Sequence, residues 1–411
     1  MMEHLTRNHL LNQNQHGFVP KKGCSTNLLE TIEYWLNCLE KGNSVDVFYL
    51  DFSKAFDRVP HQRLLSKMRS YSFPVQILKW TESFLLGRSQ SVKVDTSLSG
   101  SKPIRSGVPQ GSVMGPLLFV IFVNDLPEVT DNTTTLFADD AKNSGEIEAV
   151  EDEETSQKDL DKLEEWSETW QMSFNLGKCK HMRLGELPTS SRYHLRDKDG
   201  KMHIIETIND EKDLGVYVDK NLSFKKHIDE TVKSSNAILG TIKRTFDTLS
   251  PPSFTMLYRS LVRSKLEYCQ EVWSPARKGH QDQLEKVQRR ATKMVRGLKD
   301  EPYETRLKTL GLPSLRHRRL RGDIIFMFKI THGLVHTGME IPYSTNTTTR
   351  GHQYKLETGR YKTLARRQFL TNRVVNEWNS LPRDVVSART INCFKTRLDC
   401  HWALTKNQFE F

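Results

Sequence analysis

The sequence predicts an α+β chain with its sheet in the first half and helices in the second. Three observations carry this. Segments that read as strands stand at Val45 to Asp51, Thr133 to Phe137 and Lys180 to Leu184, separated by helix-periodic segments. From Lys225 onward the pattern is mostly helical and increasingly basic. At 411 residues the chain is long enough for two or three cores. We expect regions at 1–224, 225–300 and 301–411.

The elements follow in order. Leu28, Leu29, Ile32, Trp35, Leu36 and Leu39 repeat at helical spacing over Asn27 to Leu39, and Gly42 ends that helix. Val45 to Asp51 reads as a buried strand by composition. Pro60 opens a helix through Met68, because proline suits a first helical turn. Val75 to Leu86 is helical, closed by Gly87, and Ser91 to Val94 alternates as a short strand. Pro116 to Asn124 is an apolar helix after a glycine-rich turn; Thr133 to Phe137 is a strand with Asp139-Asp140 at its tip. Glu148 to Trp170 is a long amphipathic helix with Leu160, Leu163, Trp166 and Trp170 on one stripe, and its Glu151 to Glu154 face reads as solvated. Lys180 to Leu184 and Asp213 to Val218 read as strands. Ser250-Pro251-Pro252 and Gly311-Leu312-Pro313 break the helical half, and Thr337 to Glu357 reads as an extended loop. Phe369, Val374, Val375 and Trp378 make the core of the last piece.

A net charge of +11 fits a polyanion partner, nucleic acid or membrane surface, as well as a merely soluble basic protein. The six cysteines are scattered without a C-x-x-C pair, which argues against a zinc ribbon and for a reducing, intracellular compartment. The most apolar run, Val113 to Val123, holds Gly115 and Pro116 and is too short to span a bilayer, so no membrane partner is expected.

The chemistry concentrates in two acidic clusters, each ending an apolar run: Leu50-Asp51-Phe52-Ser53-Lys54-Ala55-Phe56-Asp57 and Phe137-Ala138-Asp139-Asp140. Carboxylates beside a buried sheet are costly unless a cation compensates them. Asp oxygens are hard ligands that suit Mg²⁺, with Mn²⁺ as a substitute, and such ions serve phosphoryl transfer. Two ions about 3.5–4 Å apart bind the attacking and leaving oxygens together, which requires carboxylates from different strands aimed at one point. Taken singly, an Asp-Asp pair is ordinary turn chemistry, Asp57 a helix cap and Gly107-Val108-Pro109-Gln110-Gly111 a loop.

In this order the blocks resemble the reverse transcriptase of non-LTR, LINE-type retrotransposons, in the jockey-like branch. The matching blocks are Gln15-His16-Gly17-Phe18, Tyr49 to Asp57, Ser106 to Ser112, Phe137 to Asp140, Phe174-Asn175 with Lys178, and Lys212 to Val216. Leu266-Glu267-Tyr268, Val272 to Pro275 and Gln288 to Thr292 resemble the downstream region of the same elements.

The resemblance implies a right-hand polymerase fold: a palm with an antiparallel sheet, partial fingers, a helical thumb and a basic helical C-terminal region. It implies an RNA-directed DNA polymerase, a nucleotidyltransferase that extends a DNA primer along an RNA template with deoxynucleotide triphosphates and two Mg²⁺ ions. Asp51 and Asp139 would bind the metals, with Asp140 beside them and the Phe52 carbonyl as a further ligand. Lys54 and Ala55 would offer backbone N–H groups to the triphosphate, and Phe56 would exclude a 2′-OH. Gln110 and Gly111 would line the nucleotide pocket. Lys178 would stand by the leaving pyrophosphate, with Lys180 its competitor. Leu214, Gly215 and Val216 would hold the primer end. Arg289, Arg290, Lys293 and Arg296, with a second cluster at Arg316, Arg318, Arg319 and Arg321, would track nucleic-acid backbone by counterion release.

The sequence departs from that pattern in four ways. Its first matching block begins at residue 15, and the resemblance leads us to expect an N-terminally truncated chain without the upstream fingers strands and endonuclease domain of such elements. Lys22 stands where arginine is usual, Phe137 where tyrosine is common, and no zinc knuckle is visible. The competing expectation is a retroelement remnant that binds nucleic acid without turnover; an RNA-directed RNA polymerase is a third, against which Phe56 argues.

Overall fold

The computed structural model describes residues 1–187, 192–197, 199–345 and 351–410. Packing divides the chain into two compact units, Met1–Asn27 with Asn37–Asn209, and Leu28–Leu36 with Asp210–Phe411. Residues 225–411 thus share one unit.

The first unit is built on a five-stranded sheet in the order Glu206–Thr207, Lys180–Leu184, Ser44–Leu50, Asp140–Ile147, Thr133–Phe137. Its pairings are antiparallel except the short edge pair of Glu206–Thr207 with Lys180–Leu184. The Ser44–Leu50 strand lies at the centre, and Val45, Val47, Phe48 and Leu50 are all buried. Both its faces are therefore covered, as the apolar run Val47 to Leu50 suggests. Helix Met114–Val123 is apolar all round and buried, so it belongs inside the core. With helix Glu151–Trp170 it supplies Leu118, Phe119, Phe122, Leu160, Leu163 and Trp166 to the cluster around Phe48, Leu50 and Phe52.

The strand Asp140–Ile147 is the largest departure from the expected elements. Its sequence, Asp-Ala-Lys-Asn-Ser-Gly-Glu-Ile, has no apolar run, yet Ala141 to Gly145 are buried between two neighbours. Burial is tolerated because two of its long polar side chains find partners. Lys142 Nζ donates to Asn27 Oδ1 at 2.8 Å, and Asn143 Nδ2 donates to Thr134 Oγ1 at 3.0 Å.

The Glu151 to Glu154 face is not wholly solvated. Glu153 is buried and receives Arg183 Nη2 at 2.8 Å. Arg183 also holds Asp46, fully buried in the central strand, through Nη2 at 2.7 Å. His181 Nε2 at 2.7 Å and the Tyr193 hydroxyl complete the shell around Asp46. Burial alone would raise the Asp46 carboxyl, but the hydrogen bonds from Arg183 and His181 outweigh it and hold it below its ordinary value.

In the second unit the expected single strand over Asp213 to Val218 is a hairpin, Asp210–Asp213 against Val216–Asp219. Leu214 and Gly215 form its two-residue turn with φ of +44° and +87°, the left-handed geometry that glycine makes cheap. Helices follow at Lys225–Thr245, Pro251–Leu257, Lys278–Thr292, Tyr303–Leu310, Leu315–Thr331 and Ile391–Thr405. Ser314 and Thr390 cap two of them by accepting the backbone N–H three residues on. Phe369, Val374, Val375 and Trp378 are buried as expected. The loop expected from Thr337 to Glu357 includes residues 346–350, which lie outside the described residues.

Candidate active site

The catalytic candidates are set by sheet register. Strand Ser44–Leu50 pairs with strand Asp140–Ile147 so that Leu50 faces Ala141. Asp51 directly follows Leu50 and Asp140 directly precedes Ala141, and adjacent strands lie about 4.8 Å apart. Phe137 pairs with Asp140, leaving Ala138 and Asp139 as a two-residue turn. Both acidic clusters therefore end at one edge of one sheet.

The turn is strained and braced. Ala138 has φ of +55°, unusual for a residue with a Cβ. Its N–H donates to Gln15 Oε1 at 2.9 Å, and the same oxygen accepts the Gly17 N–H at 2.7 Å. Gly17 sits so close that a Cβ there would lie 2.3 Å from Ala138 N. Residues 14–16 run beside strand Thr133–Phe137: Leu136 donates to the Asn14 carbonyl and accepts from His16 N–H, both at 2.9 Å. Sequence reasoning noted this block only as a resemblance; its role is to hold the aspartate turn.

Asp51 is held differently. Its carbonyl accepts the Asn175 N–H at 2.7 Å, and Ser53 N–H donates to the Ser173 carbonyl at 2.9 Å. Phe52 stacks on Phe174 with ring centroids 4.7 Å apart. The segment after Phe174 thereby delivers Lys178, whose Nζ lies 3.0 Å from Asp51 Oδ2. Lys180 is turned away, its Nζ 2.5 Å from Glu206 Oε2. Burial pushes the Asp139 carboxyl up, and the neighbouring Asp51 charge pushes the same way.

The nucleotide-pocket candidates surround these carboxylates in sequence and packing. Lys54 has φ of +54° and caps the short helix Ala55–Arg58, whose first N–H groups have no partner within the helix. Phe56 is half-buried and stacks on Phe119 at 4.5 Å. The Ser106 to Gly111 loop lies on that helix: Val108 N–H donates to the Phe56 carbonyl at 2.8 Å, and Gln110 Nε2 donates to Asp57 Oδ1 at 3.1 Å. Gly107 has φ of +90°, and a Cβ there would stand 2.6 Å from the Asp57 carbonyl oxygen. Gly111 is exposed with φ of +81°.

Among the described residues no three His, Cys, Asp or Glu side chains are drawn into a ready metal cage. The residues nonetheless suit Mg²⁺, which is typically bound through one or two carboxylates plus substrate phosphates. Asp51 and Asp139, with mutually unfavourable charge, are such a donor set.

The remaining candidates lie in the second unit. Tyr268 Oη donates to the Leu214 carbonyl at 2.9 Å and packs against Gly215, joining two of the sequence blocks. Val216 is buried at the start of its strand. Arg290, Lys293 and Arg296 are exposed, whereas Arg289 lies over the Tyr303 ring at 4.7 Å. The second basic cluster is largely consumed by structure. Arg318 binds Glu267 with Nη2 at 2.8 Å, Arg321 binds Asp399 at 2.6 Å, and Arg319 is buried.

The family described as reverse transcriptase (RNA-dependent DNA polymerase) matches residues 1–245. The chain is 30% identical over 314 residues to the RNA-directed DNA polymerase from mobile element jockey of Drosophila funebris, covering 72% of this chain and 33% of that protein. The Drosophila melanogaster counterpart is 29% identical over 312 residues, with the same coverage. The chain thus spans about a third of the length of these relatives. Telomerase from Candida albicans, solved in complex with a fragment of telomeric RNA, superposes with a TM-score of 0.43 at 12% identity, covering 73% of this chain and 55% of that one. No helix among the described residues is long and apolar enough to cross a membrane. With more than half of its length matched, and with the family's acidic blocks meeting at one sheet edge, the chain belongs to the reverse transcriptase (RNA-dependent DNA polymerase) family.

Proposed function

We propose that this chain is an RNA-directed DNA polymerase of a jockey-like retrotransposon that adds deoxynucleotides to a primer 3′ end. The observation that supports the reading is the register that pairs Leu50 with Ala141 and Phe137 with Asp140, so that both acidic blocks fall at the same end of neighbouring strands. Asp51, Asp139, Asp140 and the Phe52 carbonyl would hold two Mg²⁺ ions. Metal held there would neutralise charge on the triphosphate and on the attacking and leaving oxygens.

The protein's own groups position the reactants, which is most of the work in phosphoryl transfer. Lys54 and Ala55 direct backbone N–H groups at the triphosphate. Phe56, fixed by its stack on Phe119, forms a floor under the sugar that excludes a 2′-OH. Gln110 and Gly111 line the pocket, with Gln110 steadied by Asp57. Lys178 stands on Asp51 until substrate enters, then turns its charge to the pyrophosphate. The Leu214-Gly215-Val216 turn holds the primer end. Residues 225–300 act as thumb, 301–411 as a basic helical region, and Arg290, Lys293 and Arg296 supply backbone contacts to template and primer.

The test is primer extension on poly-rA/oligo-dT with Mg²⁺. Incorporation of deoxynucleotide by the wild type, abolished by Asp139→Ala, is expected. Salt-sensitive binding without incorporation would reduce the chain to a nucleic-acid-binding protein, and preferred use of ribonucleotides would remove Phe56 from its role.

A further inference from the structure

Residues 88–105 form a two-stranded antiparallel ribbon, exposed from Ser89 to Pro103 on both its polar and its apolar side chains. Ser89–Gln90 pairs with Lys102–Pro103, and Lys93–Val94 with Ser97–Leu98 around a turn at Asp95. Val92, Val94 and Leu98 are each more than 60% exposed. An isolated hairpin is marginal in water without something to lie against. The ribbon carries Arg88, Lys93, Lys102 and Arg105 against Asp95 alone. At its base opens a cleft of about 480 Å³ whose lining includes Arg58, His61, Arg63 and Arg105 and no carboxylate. Arg58 and Arg105 make no ion pair among the described residues. Ser106 alone separates Arg105 from Gly107 of the nucleotide-pocket loop.

We propose that the ribbon and this cleft form one docking surface for a nucleic-acid double helix, with the ribbon lying along a groove and the arginines on its phosphates. Charge complementarity selects the occupant: a second copy of this chain, itself +11, would be repelled. A duplex is selected over a single strand because no Phe, Tyr or Trp occurs in residues 88–105 or in the cleft lining, and single strands are held largely by stacking on aromatics. An A-form hybrid presents a wide, shallow minor groove, open to a ribbon that contacts its sugars and phosphates. The duplex would be the template–primer of the proposed polymerase, and to that extent the inference rests on that reading.

The experiment uses the full chain, an RNA–DNA hybrid of about two helical turns, and a single strand of equal length, titrated at several KCl concentrations. Lys93→Glu/Lys102→Glu tests the ribbon and Arg58→Glu tests the cleft; these side chains are on the surface, and thermal melts monitor folding. For the wild type, log affinity falls steeply with log salt. Each phosphate that the protein no longer neutralises makes that slope shallower by about 0.9, so the double variant should lose nearly two units and bind the hybrid about a hundredfold more weakly, with single-strand binding changed far less. Unchanged hybrid affinity and slope in both variants would overturn the proposal. Equal losses on hybrid and single strand would also overturn it, as would salt-dependent self-association of the wild type that the variants lose. Failure of the wild type to bind any hybrid would instead strike the polymerase reading.

Discussion

Asp46 and Asp51 leave the same stretch of backbone and live in opposite worlds. Asp46 lies inside the strand, fully buried, with Arg183, His181 and Tyr193 all hydrogen-bonded to it. Asp51 stands just past the strand end, a third of its side chain exposed, with Lys178 on one oxygen and the Asp139 carboxyl close enough to feel its charge. One carboxylate has its charge compensated by fixed partners. The other sits beside a like charge and an exposed lysine. A satisfied buried charge serves architecture; an incompletely satisfied one at a sheet edge is free to recruit a cation and a substrate.

The strongest way to break that contrast is to remove each charge in turn. Asp51→Asn should lower incorporation about a thousandfold or more, of order 4 kcal/mol in the barrier, while the melting temperature stays within a degree or two. Asp46→Asn should do the reverse. It leaves Arg183 and His181 without their shared anion and should cost about 3–5 kcal/mol of stability, while incorporation per folded molecule changes only a few-fold. Melting curves and active-site-normalised rates on the same preparations decide it; matching effects from the two variants would erase the distinction.

A third buried titratable group sharpens the comparison from the second unit. His227 is buried against Trp273 at 4.8 Å, and its Nε2 has no hydrogen-bond partner among the described residues. Burial, with a smaller push from Lys212, lowers it to about 4. The folded state therefore resists a proton that the unfolded state accepts near pH 6.5. Its contribution to stability is present above pH 6.5 and is lost as pH falls toward 4, by on the order of 3 kcal/mol. Urea denaturation of wild type and His227→Phe across that window should show the wild type losing more. Parallel pH profiles would mean that the ring is not dehydrated as its surroundings imply.

Much of this was legible in the chain itself. Asp51 and the Asp139-Asp140 pair end apolar runs, and short buried strands declare themselves by composition. What was not legible depends on pairing across the sheet. The strand Asp140–Ile147 is polar in sequence and buried only because Asn27 and Thr134 meet its side chains. Glu153 looks like one of a row of solvated acids until Arg183 reaches it from another strand. By composition Asp213 to Val218 read as one strand, and only the resemblance pointed to a turn there, because Leu214 is no turn former yet adopts the positive φ alongside Gly215. Runs of Arg on a helix likewise say nothing about which of them Glu267 and Asp399 will claim.

Lys178 and Lys180 test the proposed chemistry at smaller scale. Lys178→Met should lower incorporation about tenfold to a hundredfold, the usual range for one positioned charge or proton donor. Lys180→Met removes only a partly exposed pair with Glu206 and should stay within about twofold, since such pairs contribute about 0–1 kcal/mol. Equal losses in the two would mean that the contact to Asp51 is incidental.

The smallest effect probes the brace rather than the charges. Gly17→Ala places a methyl 2.3 Å from Ala138 N and 2.9 Å from the Phe137 carbonyl carbon, both backbone atoms that cannot swing aside. The turn must move, at a cost of about 1–3 kcal/mol. Because Asp139 rides on that turn, a shift of a fraction of an ångström should also lower incorporation about tenfold. Gly23→Ala is the matched control: its φ of −179° is open to any residue and its Cβ would meet nothing within 4 Å. If Gly17→Ala lost stability but kept its rate, the turn would be tolerant of displacement. The exposed carboxylates would then owe their placement to the sheet register alone.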